Sequence, residues 1–166
     1  MLFAVGTIHH VNFLEIIRHP WFMSAFIAGG AAQFLKFAWA TWRARSPQWR
    51  ELVTAGGMPS GHSALVSALA FAVGITDGFD APYAMVAVGL GLIVLVDAVT
   101  LRREAGEHAR LLNRIIRHLN GVNESDRIEA ERLEERLGHS NREMIAGVVF
   151  GAFVAFVVCA IWDFWK

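Results

Sequence analysis

Met144 to Trp165 reads MIAGVVFGAFVAFVVCAIWDFW, with a single charge, Asp163, near its end. At about 1.5 Å of rise per residue, a helix of this length crosses a hydrocarbon core roughly 30 Å thick. Two blocks of the same kind precede it. Trp21 to Trp42 carries one charge, Lys36, and Pro82 to Leu101 carries one, Asp97. His62 to Phe79 is shorter, with Asp77 late in it, and reads as a fourth, short span. The fold class expected is therefore all-α: a polytopic membrane helix bundle of about four transmembrane helices. Composition agrees, since 55% of the 166 residues are apolar, 18% are charged and the mean hydropathy is +0.41. Core helices of a soluble bundle are the alternative, but they would not leave the charge concentrated between the blocks.

The remaining segments set the topology. The N-terminus lacks the basic start of a signal peptide, and its apolar run stops at His9-His10. Residues 10–18 read as a short interfacial helix ending before Pro20. Twelve of the fifteen Lys and Arg residues fall between Arg43 and Gly61 or between Arg102 and Arg142. The positive-inside bias makes that side cytoplasmic and leaves both termini and the Asp77–Asp80 turn outside. The single cysteine, Cys159, can form no internal disulfide.

Residues 1–166 read as one domain, with 102–142 as a cytoplasmic helical hairpin inserted in it. From Arg102 to Asn120, Leu111, Leu112, Ile115, Ile116 and Leu119 recur at helical spacing. Gly121-Val-Asn breaks that pattern, and a second helix is expected from about Glu124 to Leu137. Nine arginines in this insertion are nearly matched by eight acids, which argues against nucleic acid as a partner. A solvated, salt-bridged hairpin is the reading preferred. A hairpin resting on the bilayer or on a second subunit keeps a homo-oligomer open.

Four patches of chemistry fall on the cytoplasmic side. Lys36 lies near the end of the first block and Arg43 just beyond it; a lysine there either snorkels or pairs. Gly56-Gly57-Met58-Pro59-Ser60-Gly61-His62-Ser63 opens the second block. Glycines and a proline ahead of a helix start let backbone N–H groups converge, which makes an anion cradle with a hydroxyl from Ser60 and a proton donor in His62. The plainer reading is a helix capped by Ser60. Asp97 ends the third block beside Arg102 and Arg103, as an ion pair or as a basic stop at the interface. His139 and Glu143 open the last block four residues apart. On a helix they share a face, so the carboxylate could hold one imidazole N–H and leave the other nitrogen free. No Cys, His and carboxylate set has zinc spacing, and neither a metal nor another cofactor is expected.

Taken in order, these patches resemble the type 2 phosphatidic acid phosphatase superfamily, which includes the vanadium haloperoxidases. Its motifs are Lys-x6-Arg-Pro, Pro-Ser-Gly-His and Ser-Arg-x5-His-x3-Asp. Lys36-x6-Arg43 matches the first, with Ala44 in place of proline. Pro59-Ser60-Gly61-His62 matches the second in full. His139-x3-Glu143 matches the end of the third, with Glu for Asp, while the motif arginine would fall at Leu133. Arg132 adjoins that position, although on a helix one residue turns a side chain by about 100°. The resemblance covers most of residues 30–155 and is nearest to the divergent bacterial and plant branch.

The resemblance implies a membrane phosphatase acting on a lipid phosphate or prenyl diphosphate, with its active face cytoplasmic. His139 would attack phosphorus and form a phosphohistidine, polarised by Glu143, and His62 would protonate the leaving oxygen. Lys36, Arg43, Ser60, the Gly61 N–H and one or both of Arg102 and Arg103 would bind the phosphate oxygens, with Asp97 in support. A non-catalytic binder of phosphate or lipid, and a structural membrane protein assembling through its hairpin, are the competing readings.

Overall fold

In a computed structural model, residues 13–52, 57–122, 132–135 and 138–164 are described. They form six helices: α1 Phe13–Arg18, α2 Pro20–Ala44, α3 Gly61–Asp77, α4 Pro82–Val99, α5 Leu101–Val122 and α6 Asn141–Phe164. A short 3-10 turn, Trp49–Leu52, follows α2. The fold is all-α, and the chain signals where most of the helices stop and start. Prolines occupy the first turns of α2 and α4, where a missing N–H costs nothing. Ser60 caps α3, and Gly78, at φ 96°, ends it. Ser140 and Glu143 cap α6 reciprocally: the Glu143 carboxylate accepts from Ser140 N at 2.8 Å, and Ser140 Oγ accepts from Glu143 N at 3.4 Å.

The bundle is packed inside out compared with a soluble protein. Its buried cluster consists largely of small residues at four-residue spacing: Ala28 and Ala32 on α2, Ala64, Ala68 and Ala72 on α3, Ala155 and Cys159 on α6. Gly147 and Gly151 continue the α6 row. Large apolar side chains face outward, among them Phe26, Ile93, Phe153 and Phe156, each at least 60% exposed. Water would not tolerate that surface, whereas lipid tails do, and small residues let helix backbones approach where burial of oil gains nothing. Among the described residues, two stretches are long and apolar enough to cross a membrane, one beginning at Pro82 and the other α6. α3 is apolar but shorter.

α3 is the hub, packed against α2, α4 and α6, while α4 leans on α3 and barely touches α6. At the end opposite the candidate site, Trp21 Nε1 donates to Thr76 Oγ1 at 2.7 Å and Tyr83 OH to Asp77 Oδ2 at 2.9 Å, tying α2, α3 and α4 together. α5 has a strong apolar stripe as its spacing predicts, but among the described helices it packs only on α4 and meets none of α2, α3 or α6.

The expected second hairpin helix, Glu124 to Leu137, lies mostly outside the described residues. The part that is described, 132–135, is not helical. It is a strap laid against α5, with Leu133 N donating to Asn113 Oδ1 at 3.1 Å and Asn113 Nδ2 donating to Leu133 O at 2.9 Å. The helical argument against Arg132 therefore does not apply. Arg132 instead turns to Glu135, 3.7 Å away, with its side chain 76% exposed.

Candidate active site

Segments distant in sequence meet where α3 and α6 begin and α4 ends. The meeting is fixed by backbone. Ser60 N donates to Glu143 O at 3.1 Å, and His139 N donates to Ala98 O at 3.0 Å. Gly138, at φ 83°, lies so close to α5 that a Cβ would stand 2.5 Å from the Arg103 nitrogen. Only glycine fits such an approach in that conformation. On the other flank, Gly57 has φ 83° and rests against the Lys36 stem, 3.1 Å from where its Cβ would be. The Met58–Pro59 peptide between these anchors is cis.

These anchors put His62 and His139 ring to ring, with centroids 6.5 Å apart and planes at 82°. His62 is exposed, whereas His139 is 4% exposed, and neither of its ring nitrogens has a hydrogen-bond partner among the described residues. Burial is the main force holding the His139 imidazole below the ordinary histidine range. Lys36, His62 and Arg102 push the same way, and the Glu143 carboxylate opposes them. A neutral ring with a free lone pair is the consequence near pH 7. The charges of Lys36 and Arg102 reach both histidines.

The structure sorts the residues expected from sequence. Lys36 is 6% exposed and belongs to the cluster, within electrostatic reach of Glu51 and Glu143. Arg43 is not brought in. It is exposed in the last turn of α2, about 10 Å along the axis beyond Lys36. Asp97 holds Arg102 at 2.8 Å across the break between α4 and α5, whereas Arg103 turns away to Glu107 at 3.2 Å. Ser60 is fully buried, and its hydroxyl accepts from Ser63 N at 3.3 Å and from Ser63 Oγ at 2.9 Å. It serves as the helix cap, the plainer of the two readings. Gly61 opens α3 and packs on Gln33, 3.4 Å from where its Cβ would be.

Glu143 requires a correction. Its carboxylate does not hold the His139 ring; it is engaged by the Ser140 N–H as the acidic half of the α6 cap. The backbone donor three residues back is fixed by the helix start itself, so it outcompetes an imidazole that lies outside the helix. Sequence reasoning also missed Gln33. This amide, one turn before Lys36, donates to Leu52 O at 3.2 Å and keeps a buried Oε1 with no partner among the described residues. A polar side chain on the same helix face as Lys36 was the available signal. Among the described residues, no three His, Cys, Asp or Glu side chains gather as metal ligands. The arrangement suits a tetrahedral anion: two cations, a helix N-terminus and two imidazoles, one buried and one open.

The model of the Divergent PAP2 family matches residues 17–154. The chain is 30% identical over 153 residues to the uncharacterized membrane protein YuiD of Bacillus subtilis, covering 87% of this chain and 97% of that one. No solved structure matches. The chain belongs to the Divergent PAP2 family, and its setting is the lipid bilayer.

Proposed function

We propose that this member of the Divergent PAP2 family is a multi-pass membrane phosphatase that hydrolyses a lipid phosphate or prenyl diphosphate at the cytoplasmic face. The observation that carries the proposal is the His62–His139 pair, opposed at 6.5 Å within electrostatic reach of Lys36 and Arg102 although the two rings come from distant parts of the chain. Helix capping and packing need neither imidazole there.

The chemistry follows from the two environments. The neutral His139 nitrogen attacks phosphorus as the bond to the leaving oxygen breaks, giving a phosphohistidine. His62, open to solvent, gives its proton to the departing oxygen. Lys36, Arg102 and the first N–H groups of α3, including that of Gly61, hold the equatorial oxygens as charge shifts. Water, deprotonated by His62, then attacks the phosphohistidine, and phosphate leaves with His139 restored. Asp97 keeps Arg102 aimed, and Glu143 steadies both the α6 start and, through its carbonyl, Ser60.

Two features support a lipid substrate and a four-span fold. An apolar cavity of about 230 Å³ lies between α3, α4 and α6, lined by Val66, Ala70, Phe71, Gly91, Leu95 and Val148 among others. Val66 is one helical turn from His62, so one end of this apolar cavity lies within about a turn of the site. Trp39, Trp42 and Trp49 are exposed around the level of Lys36, as an interfacial aromatic belt would be. From Trp21 to Trp39, α2 rises about 27 Å, close to a hydrocarbon thickness.

Purified protein, offered a panel of lipid phosphates and prenyl diphosphates, should release phosphate. It should also incorporate acid-labile phosphate after a rapid quench, and His139→Ala should abolish that label. Leu133 at the motif-arginine position favours a second reading, a phosphate or lipid binder. Vanadate or phosphate binding without labelling or turnover of any substrate would replace the phosphatase by that binder.

A further inference from the structure

We propose that Glu51, on the 3-10 turn after α2, is a specificity-determining residue that faces Lys36 and biases the site toward a phosphate monoester over a diphosphate. The proposal deepens the phosphatase reading and rests on it for turnover, while its binding consequence needs only the anion site.

The turn is docked on α2 at three places. Gln48 N donates to Thr41 Oγ1 at 3.2 Å, Trp49 stacks on Phe37 with centroids 5.0 Å apart, and Gln33 Nε2 donates to Leu52 O at 3.2 Å. Thr41, Phe37 and Gln33 are spaced by four on α2 and form one stripe, along which the chain runs back toward the site. Lys36 adjoins that stripe three residues from Gln33. Glu51, between Trp49 and Leu52, is thereby set beside the helical turn that carries Lys36. Within this short turn the acid is the residue turned inward: Trp49 is 66% exposed and Leu52 36%, whereas Glu51 is half-buried. A carboxylate gives up water in this way when a cation stands near it. Of the two carboxylates whose fields reach Lys36, Glu51 acts more strongly than Glu143.

Charge balance then sets the preference. Arg102 pairs with Asp97 at 2.8 Å, and Lys36 lies in the fields of Glu51 and Glu143. Two cations among three carboxylates leave no surplus of positive charge. Arg43 is exposed at the end of α2 and Arg103 turns to Glu107, so neither supplies more. A phosphate monoester brings about −1.5 to −2 near pH 7 and can be held by Lys36, Arg102 and the start of α3. A diphosphate brings about one charge more, which meets Glu51 with no further cation to offset it. Acting through roughly 8–10 Å of partly hydrated protein, one such charge changes an affinity about three- to tenfold.

The experiment uses the full chain in nanodiscs of zwitterionic lipid, titrated by calorimetry with inorganic phosphate and with pyrophosphate in metal-free buffer. Wild-type protein should bind phosphate at least as tightly as pyrophosphate. Glu51→Gln should move the ratio of the two affinities about three- to tenfold toward pyrophosphate, and Glu51→Ala should do the same. None of the three docking contacts uses the Glu51 side chain, so the turn should stay in place. Glu51→Asp keeps the charge and should keep most of the wild-type ratio. Glu107→Gln, which removes an exposed acid of α5, should leave it unchanged. A merely structural role would weaken both anions alike, so an unchanged ratio in Glu51→Gln and Glu51→Ala overturns the proposal. An equal shift in Glu107→Gln, or a wild type that binds pyrophosphate about tenfold more tightly, overturns it as well. Failure of both anions to bind would overturn it together with the anion site. The ratio of kcat/KM for a prenyl diphosphate over a lipid monophosphate should move the same way in Glu51→Gln. Anion binding without turnover of either substrate would sink the phosphatase reading and leave the affinity ratio to decide this one.

Discussion

Gly151→Ala would set a Cβ 2.3 Å from the carbonyl oxygen of Ala64 and 3.0 Å from the nitrogen of Ala68. Both are backbone atoms of α3 and cannot rotate aside, so α3 and α6 would have to part by about 1 Å to regain ordinary contact. Gly147→Ala meets Ser60 O at 2.6 Å and Ser63 Cβ at 2.8 Å, a similar conflict one turn nearer the site. Overpacking of this kind costs about 1–3 kcal/mol, and each substitution should lower thermal stability in detergent by that order. The two differ in what they do to the histidines. Parting the helices at Gly147 stretches the 3.1 Å bond from Ser60 N to Glu143 O and carries His62 away from His139. Turnover of Gly147→Ala should therefore drop about 10²-fold or more, and further than that of Gly151→Ala. Gly30→Ala and Gly89→Ala are matched controls, because a Cβ there meets nothing within 4 Å. They should be neutral or slightly stabilising. Calorimetry or fluorescence melting of the four variants is the measurement. Wild-type melting for Gly147→Ala and Gly151→Ala, or a larger loss in the controls, would refute the close α3–α6 packing from which the site is built.

Four further outcomes follow. Arg102→Ala should cost turnover about 10²-fold, the usual worth of one transition-state contact, while Arg103→Ala should leave kcat nearly unchanged; equal losses would show that the division between them is wrong. Because burial holds His139 below its unfolded value, stability should be flat above about pH 6.5 and decline as pH falls from there through the folded pKa, since the unfolded chain takes up the proton first. In an NMR titration Glu143→Gln should move the His139 pKa further down and Lys36→Met should move it up; shifts of the opposite sign would remove these charges from the site. Cysteine labelling in intact cells should find Arg45→Cys and Asp126→Cys protected and Phe79→Cys reactive, and the reverse pattern would put the site outside the cytoplasm.

Some of the disagreements between sequence and structure share one cause. Ser140-x-x-Glu143 and His139-x3-Glu143 overlap, and either pairing is consistent with the letters. The helix start decided for the cap, because its N–H is already in place when α6 forms. Arg102 and Arg103 are adjacent, and nothing local says which of them faces the histidines. The break between α4 and α5 does so, by aiming Arg102 back at Asp97. The second hairpin helix failed over 132–135 because Asn113 offers Leu133 hydrogen bonds that compete with a helix of its own.

The sequence by itself determined the helical blocks and the bilayer setting, and it singled out Lys36, His62, Arg102 and His139, which meet at one end of the bundle. Length and apolar content act along the chain and need no contact to be read. The tertiary structure alone decided that α6 lies close enough on α3 for Gly147 to seat Ser60, that the buried His139 ring has no hydrogen-bond partner among the described residues, and that Asn113 pairs with the Leu133 backbone. Each of these is a contact between residues many positions apart, and its energy depends on approach distances of a few tenths of an ångström, which no local pattern encodes.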